Sequence, residues 1–199
     1  AMRSNGVLRK PGFGHIFVAS NRNKKSIQLD LQQEEERVKL HLLLRDADVF
    51  IHNMRLAAIE RLGLSNAADA EINSRIIYCS ITGYGSNGPH SGRPAFDDVI
   101  QAASGLVDIN SGNEGPAYVK TVIADKVAGL MAANAVLAAL HCRSEHGIAQ
   151  EIEVPMFGAM TAFNLVEHMG GLAYPDREEP PGYKRLLEGG RRVIHTQDG

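Results

Sequence analysis

Short runs rich in β-branched and aromatic residues recur between longer helix-patterned runs, and this alternation restricts the chain more than any other feature. Val49 to His52 (VFIH), Arg75 to Thr82 (RIIYCSIT) and Ala149 to Pro155 (AQEIEVP) read as strands. Ser26 to Leu31 (SIQLDL) alternates apolar and polar side chains and is expected to be a fourth. Gln33 to Leu44 sets Val38, Leu40, Leu42 and Leu44 in a charged helical context, and Ala57 to Leu64 is a short helix stopped by Gly63. A long apolar helix runs from Asp125 to about His146 and closes at Gly147, and another is expected from Met156 to about Met169. Strands that alternate with helices pack as a parallel sheet covered by helices, an α/β fold. Ligands of such sheets gather beyond the carboxyl ends of the strands, here near Asn53, Arg55 and the loop Gly83 to Pro94.

The chain can bury one sizeable core, since 44% of its 199 residues are hydrophobic. Its 21 basic and 23 acidic residues form no long run of either sign, so nothing draws it electrostatically to nucleic acid or an anionic membrane. Small molecules are the expected partners. Cys79 and Cys142 stand apart with no Cys-x-x-Cys spacing, which suits a reducing cytoplasm. The longest weakly polar stretch, Val127 to Leu140, is too short and alanine-rich to span a bilayer, and no signal peptide precedes the first charges. After Tyr174 the segment PDREEPPGYKRLLEGGRR turns rich in proline, glycine and charge and reads as a linker. Residues 1–174 are therefore expected to form the main domain, and 175–199 to begin as a linker leaving it.

Several motifs have competing readings. GYGSNG, Gly83 to Gly88, matches G-x-G-x-x-G after a strand, but Pro89 and Pro94 follow where a dinucleotide site needs a helix to open. A turn is the simpler reading. HCRSEH, His141 to His146, spaces its histidines i,i+5 and splays the rings, so no metal site is expected. QQEEER, Gln32 to Arg37, is an acidic helix start that complements the macrodipole. Asp125 opens the apolar run either as an N-cap or as a carboxylate held ionised by the helix terminus and available as a nucleophile. The two roles are compatible.

NRNKKSIQLDL (Asn21 to Leu31), ADVFIHNMR (Ala47 to Arg55), RLGL (Arg61 to Leu64), RIIYCSITGYGSNGP (Arg75 to Pro89), FDDVIQAASGL (Phe96 to Leu106) and IADKVAGLMAANAVLAAL (Ile123 to Leu140) follow one another in the order seen in family III CoA-transferases. The chain resembles that family from about Asn21 to the terminal HTQDG. The resemblance implies a large Rossmann-like domain, a parallel sheet flanked by helices, linked to a smaller domain that starts within 175–199, in a homodimer of interlocked rings. It implies that Asp125 is the nucleophile toward an acyl-CoA and that coenzyme A enters as substrate, with no permanently bound cofactor. CoA contacts are implied at Leu29, Asp30, Leu31 and Gln32, at Asn53, Met54 and Arg55, at Arg61, and at Arg93, Pro94, Ala95, Phe96 and Asp97. Arg55, Arg61 and Arg93 suit phosphate, which a guanidinium binds bidentately.

The chain also departs from the family pattern. Arg55, Leu56 and Ala57 stand where members usually read Arg-Pro-Gly, and a lysine that some members carry near Pro94 is absent. The family's first strand-helix unit and its glycine-rich active-site loop find no counterpart, and LEGGRR, Leu187 to Arg192, does not replace the loop. The chain is on this reading a truncated product or a fragment of a longer subunit. Two rivals follow: a non-catalytic remnant that binds CoA or assembles, and an α-methylacyl-CoA racemase. The racemases of this fold add a histidine base where this chain has Phe96, which counts against proton exchange.

Overall fold

A computed structural model describes residues 2–8, 10–111, 115–176, 179–188 and 196. They fall into two compact units, residues 1–37 and 38–199.

The first unit holds the short helix α1 (His15–Ser20) and an antiparallel bridge between Leu8 and Gly14. Arg3 lies over the Phe17 ring, 4.3 Å from its centroid, and donates to Ser26 Oγ at 2.6 Å. Ser26 to Leu31 does not form the expected strand. Alternation gives a strand two distinct faces but no partner, and without one the segment stays irregular, with Ile27 62% exposed. The chain then turns at Asp30, whose Oδ1 accepts from the Gln32 N–H at 3.1 Å, and enters α2 (Glu34–Arg45), which continues into the second unit.

The second unit is built on three parallel strands, β1 (Val49–His52), β2 (Ile77–Thr82) and β3 (Glu151–Pro155), side by side in that order. Cys79 stands opposite Ile51 on one side and Ile152 on the other, which fixes the register. The central strand is buried from Ile77 to Ser80, as its β-branched and aromatic composition requires. Parallel neighbours need crossovers. From β1 to β2 the crossover is made by α3 (Leu56–Arg61) and α4 (Asn66–Ile72), and from β2 to β3 by α5 (Asp97–Ala103), α6 (Leu106–Ile109) and α7 (Ile123–His146). β3 runs directly into α8 (Met156–His168), and a last turn, α9, spans Lys184–Leu187.

The core lies between the sheet and the helices α5, α7 and α8. It joins Cys79 and Val154 of the strands to Ile100, Val127, Ala128, Ala132, Met156 and Met160. The alanines let α7 approach the sheet closely, and Gly147, with φ of 72°, ends the helix in the left-handed conformation. With 24 residues and a mean hydropathy of 1.5 over its most apolar stretch, α7 is long and apolar enough to cross a membrane by length and composition. The shorter run Val127 to Leu140 understated it. One face of it packs on β2, β3, α5 and α8, with 28% of its most apolar stretch buried.

Arg143, near the end of α7, donates to the carbonyls of Asp48 at 3.2 Å and Arg75 at 2.7 Å, just before β1 and β2. The C-terminal end of α7 therefore sits at the amino ends of the strands. Asp125 lies 18 residues earlier, about 27 Å along the axis, at the carboxyl ends. Beyond Tyr174, the Gly182 N–H donates to the His168 carbonyl at 2.8 Å, so this part of the expected linker folds back on α8. Most of LEGGRR and HTQDG lie outside the described residues.

Candidate active site

Three segments lie at the carboxyl ends of the strands, where parallel sheets bind ligands. Asn53 to Arg55 leave β1, the loop from Gly83 to Phe96 leaves β2, and α7 presents its N-terminus. The loop holds GYGSNG, and no helix opens before Asp97, so the turn reading stands and the dinucleotide reading falls. Glu153 of β3 fixes this loop by accepting from the Ser86 N–H at 2.7 Å and from Ser86 Oγ at 2.8 Å. Gly83 must lack a side chain, because a Cβ there would stand 2.6 Å from that of Ala95.

Asp125 is not the N-cap of α7. That helix begins at Ile123, after a cap residue, Val122, that makes no side-chain bond. Asp97 supplies the capping from another helix: its Oδ1 accepts from the backbone N–H of Ala124 at 2.7 Å and of Asp125 at 3.2 Å. The other oxygen of Asp97 accepts from Gln101 Nε2 at 2.6 Å, and Gln101 Oε1 accepts from the Val119 N–H at 3.0 Å. Two residues one turn apart on α5 thus hold both the start of α7 and the chain leading to it. Spacing suggested neither role, although a D-x-x-x-Q pair on one helical face is visible in FDDVIQ.

With the helix N–H groups taken by Asp97, the Asp125 carboxylate makes no hydrogen bond or ion pair among the described residues. Lys126 turns back to Thr121 Oγ1 at 2.6 Å instead of neutralising it. The Asp125 side chain is exposed, yet the protein around it displaces water, and this together with the Asp97 charge raises its pKa above the usual carboxylate value. The macrodipole is expected to favour the ionised form of Asp125, but its pKa lies above the ordinary carboxylate value, not below it. A second carboxylate already occupies the positive end of the helix, and Asp125 feels that charge as repulsion. The result is a bare, more basic carboxylate on a fixed backbone, the chemical profile of a nucleophile.

The other predicted residues divide. Arg55 is the N-cap of α3 and is exposed, as are Asn53 and Arg93; Met54 is half-buried. Pro94 is exposed, Ala95 packs on Gly83, and Phe96 caps α5 with its ring 76% exposed. Arg61 ends α3, about 9 Å of helix from Arg55. The guanidinium groups of Arg55, Arg61 and Arg93 have no partner among the described residues and are free to receive an anion. Asp97 differs, because both its oxygens are committed inside the protein and it positions rather than binds. Leu29, Asp30, Leu31 and Gln32 belong to the first unit, where the Leu31 and Gln32 carbonyls both accept from Arg37 Nη1, at 3.0 and 3.1 Å.

The family model for CoA-transferase family III matches residues 1–199. The chain is 34% identical over 182 residues to a probable fatty acyl-CoA transferase of Mycobacterium tuberculosis, covering 88% of this chain and 46% of that protein. It is 35% identical over 149 residues to the acetyl-CoA:oxalate CoA-transferase of Acetobacter aceti, covering 74% of this chain and 38% of the relative. The crystal structure of a CAIB/BAIF family protein from Brucella suis superposes with a TM-score of 0.80 at 31% identity, over 90% of this chain and 48% of that one. The chain spans less than half the length of each of these proteins.

Proposed function

The chain belongs to CoA-transferase family III, and on that premise we propose that it carries the nucleophile of an enzyme that moves CoA from an acyl-CoA to a carboxylic acid. The observation that carries the reading is the Asp125 carboxylate, unpartnered and raised in basicity on a backbone that Asp97 fixes. In the proposed sequence Asp125 attacks the thioester carbonyl and expels CoA thiolate, leaving a mixed anhydride. The thiolate then attacks the Asp125 carbonyl, which releases the donor carboxylate and forms an aspartyl-CoA thioester. The acceptor carboxylate attacks that thioester and expels the thiolate again. Attack of the thiolate on the acyl carbonyl of this second anhydride gives the new acyl-CoA and restores Asp125. Each step exchanges one activated acyl group for another, and coenzyme A takes part as substrate.

The three unpartnered arginines support binding of CoA phosphates at the carboxyl edge. Leu29 to Gln32 remain proposed CoA contacts of the first unit. Free Cys79 and Cys142 are consistent with a reducing cytoplasm, and exposed Leu130 and Leu137, seven residues apart on α7, with assembly of copies. Racemization would require a proton acceptor where the chain has the exposed hydrocarbon ring of Phe96.

Trapping tests the assignment. After incubation with acyl-CoA, hydroxylamine is expected to convert Asp125 alone to a hydroxamate, read by peptide mass, and Asp125→Asn is expected to abolish both trapping and transfer. Transfer retained by Asp125→Asn would refute the role of this residue. CoA binding without any trapping would leave a non-catalytic remnant.

A further inference from the structure

His52, the last residue of β1, is 9% exposed and belongs to no part of the acyl-transfer chemistry. Its ring nevertheless lies between two elements of the candidate site. The Met54 backbone N–H donates to His52 Nδ1 at 3.2 Å, so that nitrogen carries no proton. The proton of the neutral ring is then on Nε2, which lies 2.7 Å from the Tyr78 hydroxyl and donates to it. Tyr78 in turn donates to the Leu64 carbonyl at 3.1 Å, in the turn between α3 and α4. The His52 ring and the Tyr78 hydroxyl each accept one bond and donate one, and the directions agree along the whole chain. Burial keeps both groups in the required form: it lowers the His52 pKa, and with the Asp69 charge it pushes Tyr78 up to about 12.

We infer that His52 is a positioning residue for CoA binding, holding the Asn53–Arg55 loop through Met54 and tying it through Tyr78 to Leu64 just beyond Arg61. This rests on the CoA-transferase reading, since the loop matters only if it binds the substrate. No proline follows Arg55, so the chain itself leaves this turn less restricted. The side chain of His52 supplies the restraint from below. The Tyr78 end anchors the ring, whose packing is completed by Phe50 with ring centroids 5.6 Å apart.

The two ends of the imidazole can be tested separately. His52→Asn places an amide oxygen near the position of Nδ1 and keeps an acceptor for Met54. His52→Gln keeps a donor toward Tyr78 and loses that acceptor. Amide hydrogen exchange at Met54 and CoA binding by calorimetry are measured on the chain and both variants. His52→Gln is expected to speed Met54 exchange and weaken CoA binding about fivefold, the effect of one lost hydrogen bond, whereas His52→Asn stays within about twofold of the parent. Tyr78→Phe keeps the Met54 acceptor and, like His52→Asn, loses only the Tyr78 end, so it is expected to stay within about twofold of the parent. Parent-like CoA affinity in His52→Gln, with the parent binding CoA, would overturn the inference alone. Failure of the parent chain to bind CoA would overturn the site reading, and this inference with it.

Discussion

Replacing Asp69 by asparagine is expected to stabilise the protein, and only above mildly acidic pH. Asp69 lies in the first turn of α4, fully buried, with neither carboxylate oxygen hydrogen-bonded among the described residues. The Ser65 side chain already caps that helix, accepting from the Ala68 N–H at 3.4 Å, so Asp69 does not serve there. Burial raises its pKa from 3.8 to about 6. Below the lower value both the folded and unfolded chains hold the proton, and the group is neutral in the balance. Between the two values the unfolded chain releases its proton and the folded chain keeps it, so stability falls as pH rises. Above about 6 the loss is complete, and a separation of this size at about 1.4 kcal/mol per pH unit amounts to at most about 3 kcal/mol. Asparagine has nearly the same shape and does not ionise. Thermal unfolding at pH 4 is therefore expected to find the two proteins alike, and at pH 8 to find Asp69→Asn higher by up to about 6–12 °C. An equal gain at both pH values would locate the effect in packing, and a loss at pH 8 would mean that the ionised carboxylate is satisfied. Either result refutes the reasoning.

Asp97→Ala leaves two N–H groups of α7 without their acceptor and is expected to lower stability by about 1–2 kcal/mol, measured by urea unfolding. Removing that charge by Asp97→Asn is expected to move the Asp125 pKa downward, as followed by carbon NMR of the carboxyl. Leu130 is 68% and Leu137 65% exposed on one face of α7, and the chain is expected to self-associate through them. Sedimentation velocity is expected to show a shift toward monomer in the double variant Leu130→Glu, Leu137→Glu; an unchanged distribution would remove α7 from the contact.

Local composition was enough to locate β1 at Val49–His52, the core of β2 and the end of α7 at Gly147, because chain direction, side-chain branching and a left-handed glycine act over a few residues. It failed at Ser26 to Leu31, where alternation promised a strand and none of the described residues pairs with it. The role of Asp97 was illegible for a related reason. Its bonds to Ala124 and Asp125 bridge 27 and 28 residues, and no periodicity reports a helix capped by a residue of another helix. Asp125 accordingly read as a candidate cap of its own helix as well as a candidate nucleophile. The relay from Met54 to Leu64 was hidden too, since a histidine at a strand end shows its partners only once β1 and β2 are side by side. The order of the motifs carried the family assignment, which no single element could have done.

α7 is held at both ends, by Asp97 at Ala124 and Asp125 and by Arg143 at the approaches to β1 and β2. Its length is thereby a gauge between two fixed points. Adding or deleting one residue within it would turn one end against the other by about 100° and shift it by about 1.5 Å. The start of the helix would then leave Asp97, or Arg143 would release the strands. Amino-acid identities along the outer face can drift, but the count of residues from Asp125 to Arg143 cannot, and natural variation in this helix should appear as substitution and never as insertion.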